Sequence, residues 1–232
     1  TRTRIYRPPG GARNLPVLLY LHGGGYFMGS PEMFGPIIAD YIATRPCVVV
    51  SPDYRKSLEA PYPAAIDDCY DALKWIKANA ATLGVRDDQI MVGGHSAGGG
   101  LTAALTVRAR DRGEVKIAFQ MPIYPMIDDR QDTESARDNN APLWGSKHNA
   151  LGWDLYIGDL KRRGAPIPTD AAPARETNYA GLPPTLTFVG DLEPFRDETI
   201  AYVDNLKRAG VPVMFELFKG AFHGFDTVGR DT

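Results

Sequence analysis

Six short apolar runs punctuate the chain, at 17–21, 48–51, 90–93, 117–121, 185–189 and 213–218. They are rich in Val, Ile and Leu without strict alternation, the pattern of parallel strands covered on both faces. Between them lie segments with helical character, at 34–44, 64–83, 97–112 and 197–209, the last followed by Gly210 as a stop signal and then by Pro212. Strand and helix alternate, which predicts an α/β class: right-handed crossovers and a mostly parallel, doubly wound central sheet with helices on both faces. Ligands of such sheets bind beyond the carboxyl ends of the strands, so chemistry is expected directly after the apolar runs. One stretch breaks the rhythm. Residues 128–180 are polar and Pro-rich, with a helix-like piece at 149–160 carrying Trp153 and Tyr156. That stretch is expected to be a cap or lid insertion over the site, within a single domain spanning 1–232.

Composition narrows the function classes. Apolar residues make up 44% and charged residues 23% of the 232, with no biased tract or fixed-period repeat, which argues against disorder, fibres and solenoids. The formal charge is -2 and the Lys and Arg residues are scattered, so no basic stripe points to nucleic acid. No apolar run approaches the roughly 20 residues that span a bilayer, and no membrane partner is expected. Cys47 and Cys69 both sit in apolar settings without metal-ligand spacing, which reads as two buried thiols and suits the cytoplasm. Neither a metal nor a cofactor is expected. Nothing in the sequence sets the oligomeric state, and a homodimer stays open.

The candidate chemistry follows the strand ends. Gly94-His95-Ser96-Ala97-Gly98 lies between the run at 90–93 and a helical segment, the context of a strand-to-helix turn that exposes a serine nucleophile. Small residues two before and two after Ser96 let neighbouring chain pass close by. His22-Gly23-Gly24-Gly25-Tyr26 follows the run at 17–21 and leaves the backbone bare. The amides of Gly24, Gly25 and Ala97 are the expected oxyanion donors, each worth about 3 to 4 kcal/mol in acyl transfer. The spacing is not that of a dinucleotide fingerprint. His22 and His95 are read as neighbours of the site, His22 fixing its loop. His223, after the last apolar run, completes the chain order serine, acid, histidine that distinguishes this triad arrangement from others.

The acid is sought after the run at 185–189, where Asp191 and Glu193 compete. Pro194 pushes the residue before it out of helical space, which places Glu193 on an exposed loop able to swing toward His223. Asp191 reads as a turn residue bonded to local backbone, and Asp197 and Glu198 as favourable charge in a helix's first turn. Glu193 is favoured and Asp191 kept as the rival.

Taken together, these motifs resemble the hormone-sensitive lipase family of α/β-hydrolases, the bacterial esterases with an oxyanion motif of the His22-Gly23-Gly24-Gly25 type. The resemblance also covers Pro52-Asp53-Tyr54-Arg55, Ala60-Pro61-Tyr62-Pro63, the stretch 193–198 and Phe222-His223-Gly224-Phe225. It implies Ser96 as nucleophile, His223 as base and Gly24, Gly25 and Ala97 as oxyanion donors. Glu193 matches the family's acid position, where most members carry Asp. Tyr54-Arg55 is expected to be structural. Family members usually carry an N-terminal helical cap, an extra strand ahead of the segment matching 2–6, and a helix after the histidine; none is expected in these residues, so the cap is read as reduced or missing. Tyr26, Met28, Tyr124, Trp144 and Phe195 are the candidates for lining a substrate pocket.

The expected function is hydrolysis of short-acyl carboxylic esters, a small-molecule substrate class, through an acyl-enzyme. Two alternatives accompany it. The same triad serves amidases and formamidases, and plant gibberellin receptors resemble this family but bind a small ligand without the histidine, which is present here as His223.

Overall fold

The computed structural model describes residues 1–228. Seven strands form one sheet: β1 (Thr3–Tyr6), β2 (Leu15–Leu21), β3 (Val48–Pro52), β4 (Val85–His95), β5 (Phe119–Ile123), β6 (Thr185–Gly190) and β7 (Val213–Phe218). Their order is β1-β3-β2-β4-β5-β6-β7, with every pair parallel except β1 against β3. The helices are α1 (Gly35–Thr44), α2 (Ala64–Ala78), α3 (Ala80–Leu83), α4 (Ala97–Arg112), α5 (Ser146–Arg162), α6 (Arg196–Arg208) and α7 (Phe225–Val228). This is the mostly parallel α/β sheet expected from the alternation of runs.

Strand periodicity divides the core. On β2, Val17, Leu19 and Leu21 face a large cluster with Ile66, Tyr70 and Leu73 of α2 and Leu101 and Leu105 of α4. Leu18 and Tyr20 face the opposite side, where Ile38 of α1 covers them. Both faces are therefore buried, which is why the runs carry no polar alternation.

Three expectations are corrected and one strand is added. The segment at 64–83 is two helices, with Asn79 closing α2 and opening α3. The strand expected at 117–121 lies two residues later as β5, where Pro122 sits in register against Gly94. β1 went unpredicted because its four residues are mostly exposed and carry no apolar run. A helix, α7, does follow His223. The helix-like piece at 149–160 is the longer α5, whose Trp153, Tyr156 and Ile157 belong to the main core cluster. Buried Asp129 ties the same stretch down, bonded to Lys161 at 3.0 Å and Arg175 at 2.6 Å.

Candidate active site

The turn after β4 is built from close backbone approach. Ser96 links β4 to α4 at φ 59° and ψ -122°, a region that residues with a Cβ rarely occupy. Its N–H donates to the Ile123 carbonyl at 3.0 Å, and its carbonyl accepts from Met126 at 3.1 Å and Gly100 at 2.9 Å. A Cβ on Gly94 or Gly98 would overlap the Leu21 carbonyl, so the two glycines flanking Ser96 are what lets α4 start against the end of β2.

From that turn the serine hydroxyl reaches the histidine. Ser96 Oγ lies 2.9 Å from His223 Nε2, and His223 Nδ1 lies 2.6 Å from Glu193 Oε2. The other carboxylate oxygen, Glu193 Oε1, accepts from the Gly190 amide at 2.6 Å. Glu193 is fully buried, so it does not swing from an exposed loop as its place before Pro194 led us to expect; the Gly190 amide holds it at the end of β6. Asp191 points elsewhere: its carboxylate accepts from the Gly220 amide at 2.8 Å and caps a turn. Asp197 accepts from Ser135 N–H at 2.8 Å. Glu198 departs from its expected place on a solvated first turn. It is buried, its Oε1 accepts from the amides of Ile127 and Asp128, and burial pushes its carboxyl well above the ordinary value of 4.5.

The glycine loop after β2 folds into a tight turn in which the Gly24 carbonyl accepts from Phe27 at 3.1 Å and Met28 at 2.9 Å, leaving the Gly24 and Gly25 N–H groups outside those bonds. Both residues have positive φ, 126° and 58°, and a Cβ on Gly24 would run into the Met28 carbonyl. Ala97 is the first residue of α4, where amides have no intrahelical acceptor. His22 anchors the loop from below: its Nδ1 contacts the Gly23 carbonyl at 2.8 Å, its ring stacks on Tyr54 at 4.2 Å, and the Tyr54 hydroxyl donates to the His22 carbonyl at 2.7 Å. Burial lowers the His22 pKa to about 4, so the ring is neutral. Tyr54-Arg55 thus has the structural part expected of it, Arg55 pairing with Asp68 at 2.8 Å.

The five proposed pocket residues divide. Tyr26 and Phe195 are 1% and 0% exposed and have no surface to offer a substrate. Tyr26 stacks on Tyr156 at 4.1 Å and donates to the Met126 carbonyl at 2.6 Å, while Phe195 sets its ring edge-on to His223 at 5.0 Å. They brace the loop and the imidazole, a correction that follows from aromatic rings filling the space behind the site. Tyr124 is likewise buried, 2% exposed, and packs on His223 at 4.7 Å; Trp144 lies 6.3 Å from the same imidazole and beside Gly25, and Met28 is half exposed. Among the described residues no group of three or more His, Cys, Asp or Glu side chains is placed to hold a metal ion, and no helix is long and apolar enough to cross a membrane.

Similarity to known proteins agrees with this geometry. A family model described as the alpha/beta hydrolase fold matches residues 18–227. Esterase LipI of Mycobacterium tuberculosis is 37% identical over 226 residues, covering 96% of this chain and 70% of that protein. Carboxylesterase NlhH of the same organism is 35% identical, again covering 96% and 70%. The solved structure of a bacterial heroin esterase matches with a TM-score of 0.91 at 39% identity, covering 96% of this chain and 71% of that one. A turn that strains its serine, a glycine loop beside it and relatives of this kind place the chain in the hormone-sensitive lipase family of α/β-hydrolases, among its carboxylesterases.

Proposed function

We propose that the chain is a serine carboxylesterase for short-acyl esters, in which Ser96, His223 and Glu193 form the triad. The observation that carries this reading is the unbroken line from Ser96 Oγ to His223 Nε2 at 2.9 Å and from His223 Nδ1 to Glu193 Oε2 at 2.6 Å. Glu193 keeps the imidazole proton on Nδ1, leaving Nε2 free to take the serine proton as Oγ attacks the ester carbonyl. The carbonyl oxygen becomes an oxyanion beside the amides of Gly24, Gly25 and Ala97. The bond to the alcohol oxygen breaks, and that oxygen leaves with the proton from Nε2. Water then attacks the acyl-serine, giving its proton to His223; the acid departs and Ser96 regains its hydrogen.

For the short-acyl preference we point to Trp144, whose ring lies against Gly25 and near His223. We read the chain as one domain in which the stretch 128–180 arches beside the site, with α5 rooted in the core and Trp144 at its approach. Two free, buried cysteines fit a reducing compartment such as the cytoplasm.

The test is hydrolysis of p-nitrophenyl acetate, butyrate and decanoate, and of a p-nitroanilide, by the chain and by Ser96→Ala. Turnover of acetate and butyrate, lost by about 10⁴-fold or more in Ser96→Ala, is the expected result. Cleavage of the anilide alone would replace the esterase reading with an amidase, and ester turnover that survives Ser96→Ala would remove Ser96 as nucleophile.

A further inference from the structure

A second polar network lies beside the triad and uses none of its members. Tyr20 Oη lies 2.7 Å from His95 Nδ1; with the hydroxyl donating there, the ring proton sits on Nε2. His95 Nε2 is 3.4 Å from Asp226 Oδ2, and the Tyr124 hydroxyl donates to Asp226 Oδ1 at 2.8 Å. His95 directly precedes Ser96 at the end of β4, and Asp226 lies three residues beyond His223. The Tyr124 ring in turn stands edge-on to His223 at 4.7 Å and packs on His95 at 5.4 Å. Although burial opposes it, the His95 and Tyr124 contacts hold the Asp226 carboxyl below its ordinary value.

Two features show why such a tether matters. His223 stands in a segment with Gly220 and Gly224, both at positive φ, conformations open to glycine pivots. Tyr124 also sits at φ 30°, sparsely populated for a residue with a side chain, and is held there by its amide on the Phe188 carbonyl and its hydroxyl on Asp226.

We propose that Asp226 is a positioning residue for the catalytic base: by bridging Tyr124 and His95, it locks the segment carrying His223 to the strand end carrying Ser96. The proposal rests on the serine esterase reading for its effect on rate, but its structural content concerns His223 alone. Asp226 touches no reacting atom and acts through the Tyr124 ring and the turn that it shares with the base. Displacing an imidazole by about 1 Å costs up to about 10²-fold in rate, so a tether of this kind is expected to act on kcat and not on binding.

The experiment compares the intact chain with Asp226→Ala, Tyr124→Phe and the double variant. Tyr124→Phe keeps the ring against His223 and removes only the hydroxyl, so it separates tethering from packing. Imidazole nitrogen shifts of His223, assigned by their loss in His223→Ala, report its tautomer without any substrate. Expected are shifts moving from the single Nδ1–H form toward a mixture in both single variants, and kcat on p-nitrophenyl acetate about tenfold lower with KM within about twofold. The double variant is expected to be no slower than the slower single one, since both cut the same link. Shifts that coincide with those of the parent in both single variants overturn the proposal, as do effects that multiply in the double variant or a loss carried by KM. Should the parent hydrolyse no ester while the His223 shifts still respond, the esterase reading falls and the tether stands.

Discussion

The carboxylate of Glu193 shows how much one side chain's surroundings decide. It carries one methylene more than the Asp usual at this position, and the added reach is used: one oxygen meets His223 and the other is held by the Gly190 amide. In Glu193→Gln the Gly190 N–H keeps the amide oxygen, so the NH₂ group faces His223 Nδ1 and drives the imidazole proton onto Nε2, toward Ser96. The expected fall in kcat on p-nitrophenyl acetate is about 10⁴-fold, the scale on which triads lose rate with the wrong tautomer. Asp191→Asn keeps the acceptor for the Gly220 amide and is expected to stay within about threefold of the parent. Equal losses in the two variants would return Asp191 to contention. Sequence alone left these two residues open because they lie two apart on one loop, and the choice depends on which way that loop turns against β7.

At the scale of elements, Glu198 joins α6 to the chain leaving β5. Its Oε1 accepts from Ile127 at 2.8 Å and Asp128 at 3.2 Å, and the Met126 amide one residue earlier binds the Ser96 carbonyl. The helix that follows Glu193 is thus bonded to the segment that supports the Ser96 turn. Burial pushes this carboxyl well above its ordinary value and so favours its neutral form, in which it contributes an acceptor and not a charge. Glu198→Gln, which retains the acceptor, is expected to unfold in urea within about 1 kcal/mol of the parent. Glu198→Ala leaves two buried amides unpaired and is expected to lose about 2 to 6 kcal/mol. Similar losses for both would mean that the ionised form matters. In the sequence, an acid in a helix's first turn reads as solvated charge; only the packing of α6 against 126–128 shows that it is inside.

For the whole molecule, acid sensitivity follows from His22. Its pKa is lowered to about 4 by burial, against an ordinary 6.5, so the unfolded chain takes up this proton before the folded one does. Its neutral form is stable in full above pH 6.5; stability is lost as the pH falls toward 4 and no further below it. Between pH 7 and pH 5 this one group accounts for about 2 kcal/mol of lost stability. Urea unfolding at the two pH values checks it: the pH-dependent loss in His22→Asn is expected to be smaller by about 2 kcal/mol. An identical loss in both proteins would show that His22 takes up its proton in the folded chain as readily as in the unfolded one.

The sequence by itself determined the α/β alternation, the strand ends that carry the candidate site, and the glycines around residues 24 and 96. Each of these shows in local patterns: apolar runs long enough for buried strands, and glycines where positive φ or close backbone approach leaves no room for a Cβ. What only the tertiary structure decided was every relation between distant segments. Glu193 meets His223 across 30 residues, Asp226 meets Tyr124 across 102, and Tyr26 and Phe195 are walled in by rings from other elements. Chain distance carries no information about such approaches, because side-chain partners are chosen by packing after the strands have been ordered, and burial then sets which polar groups stay charged.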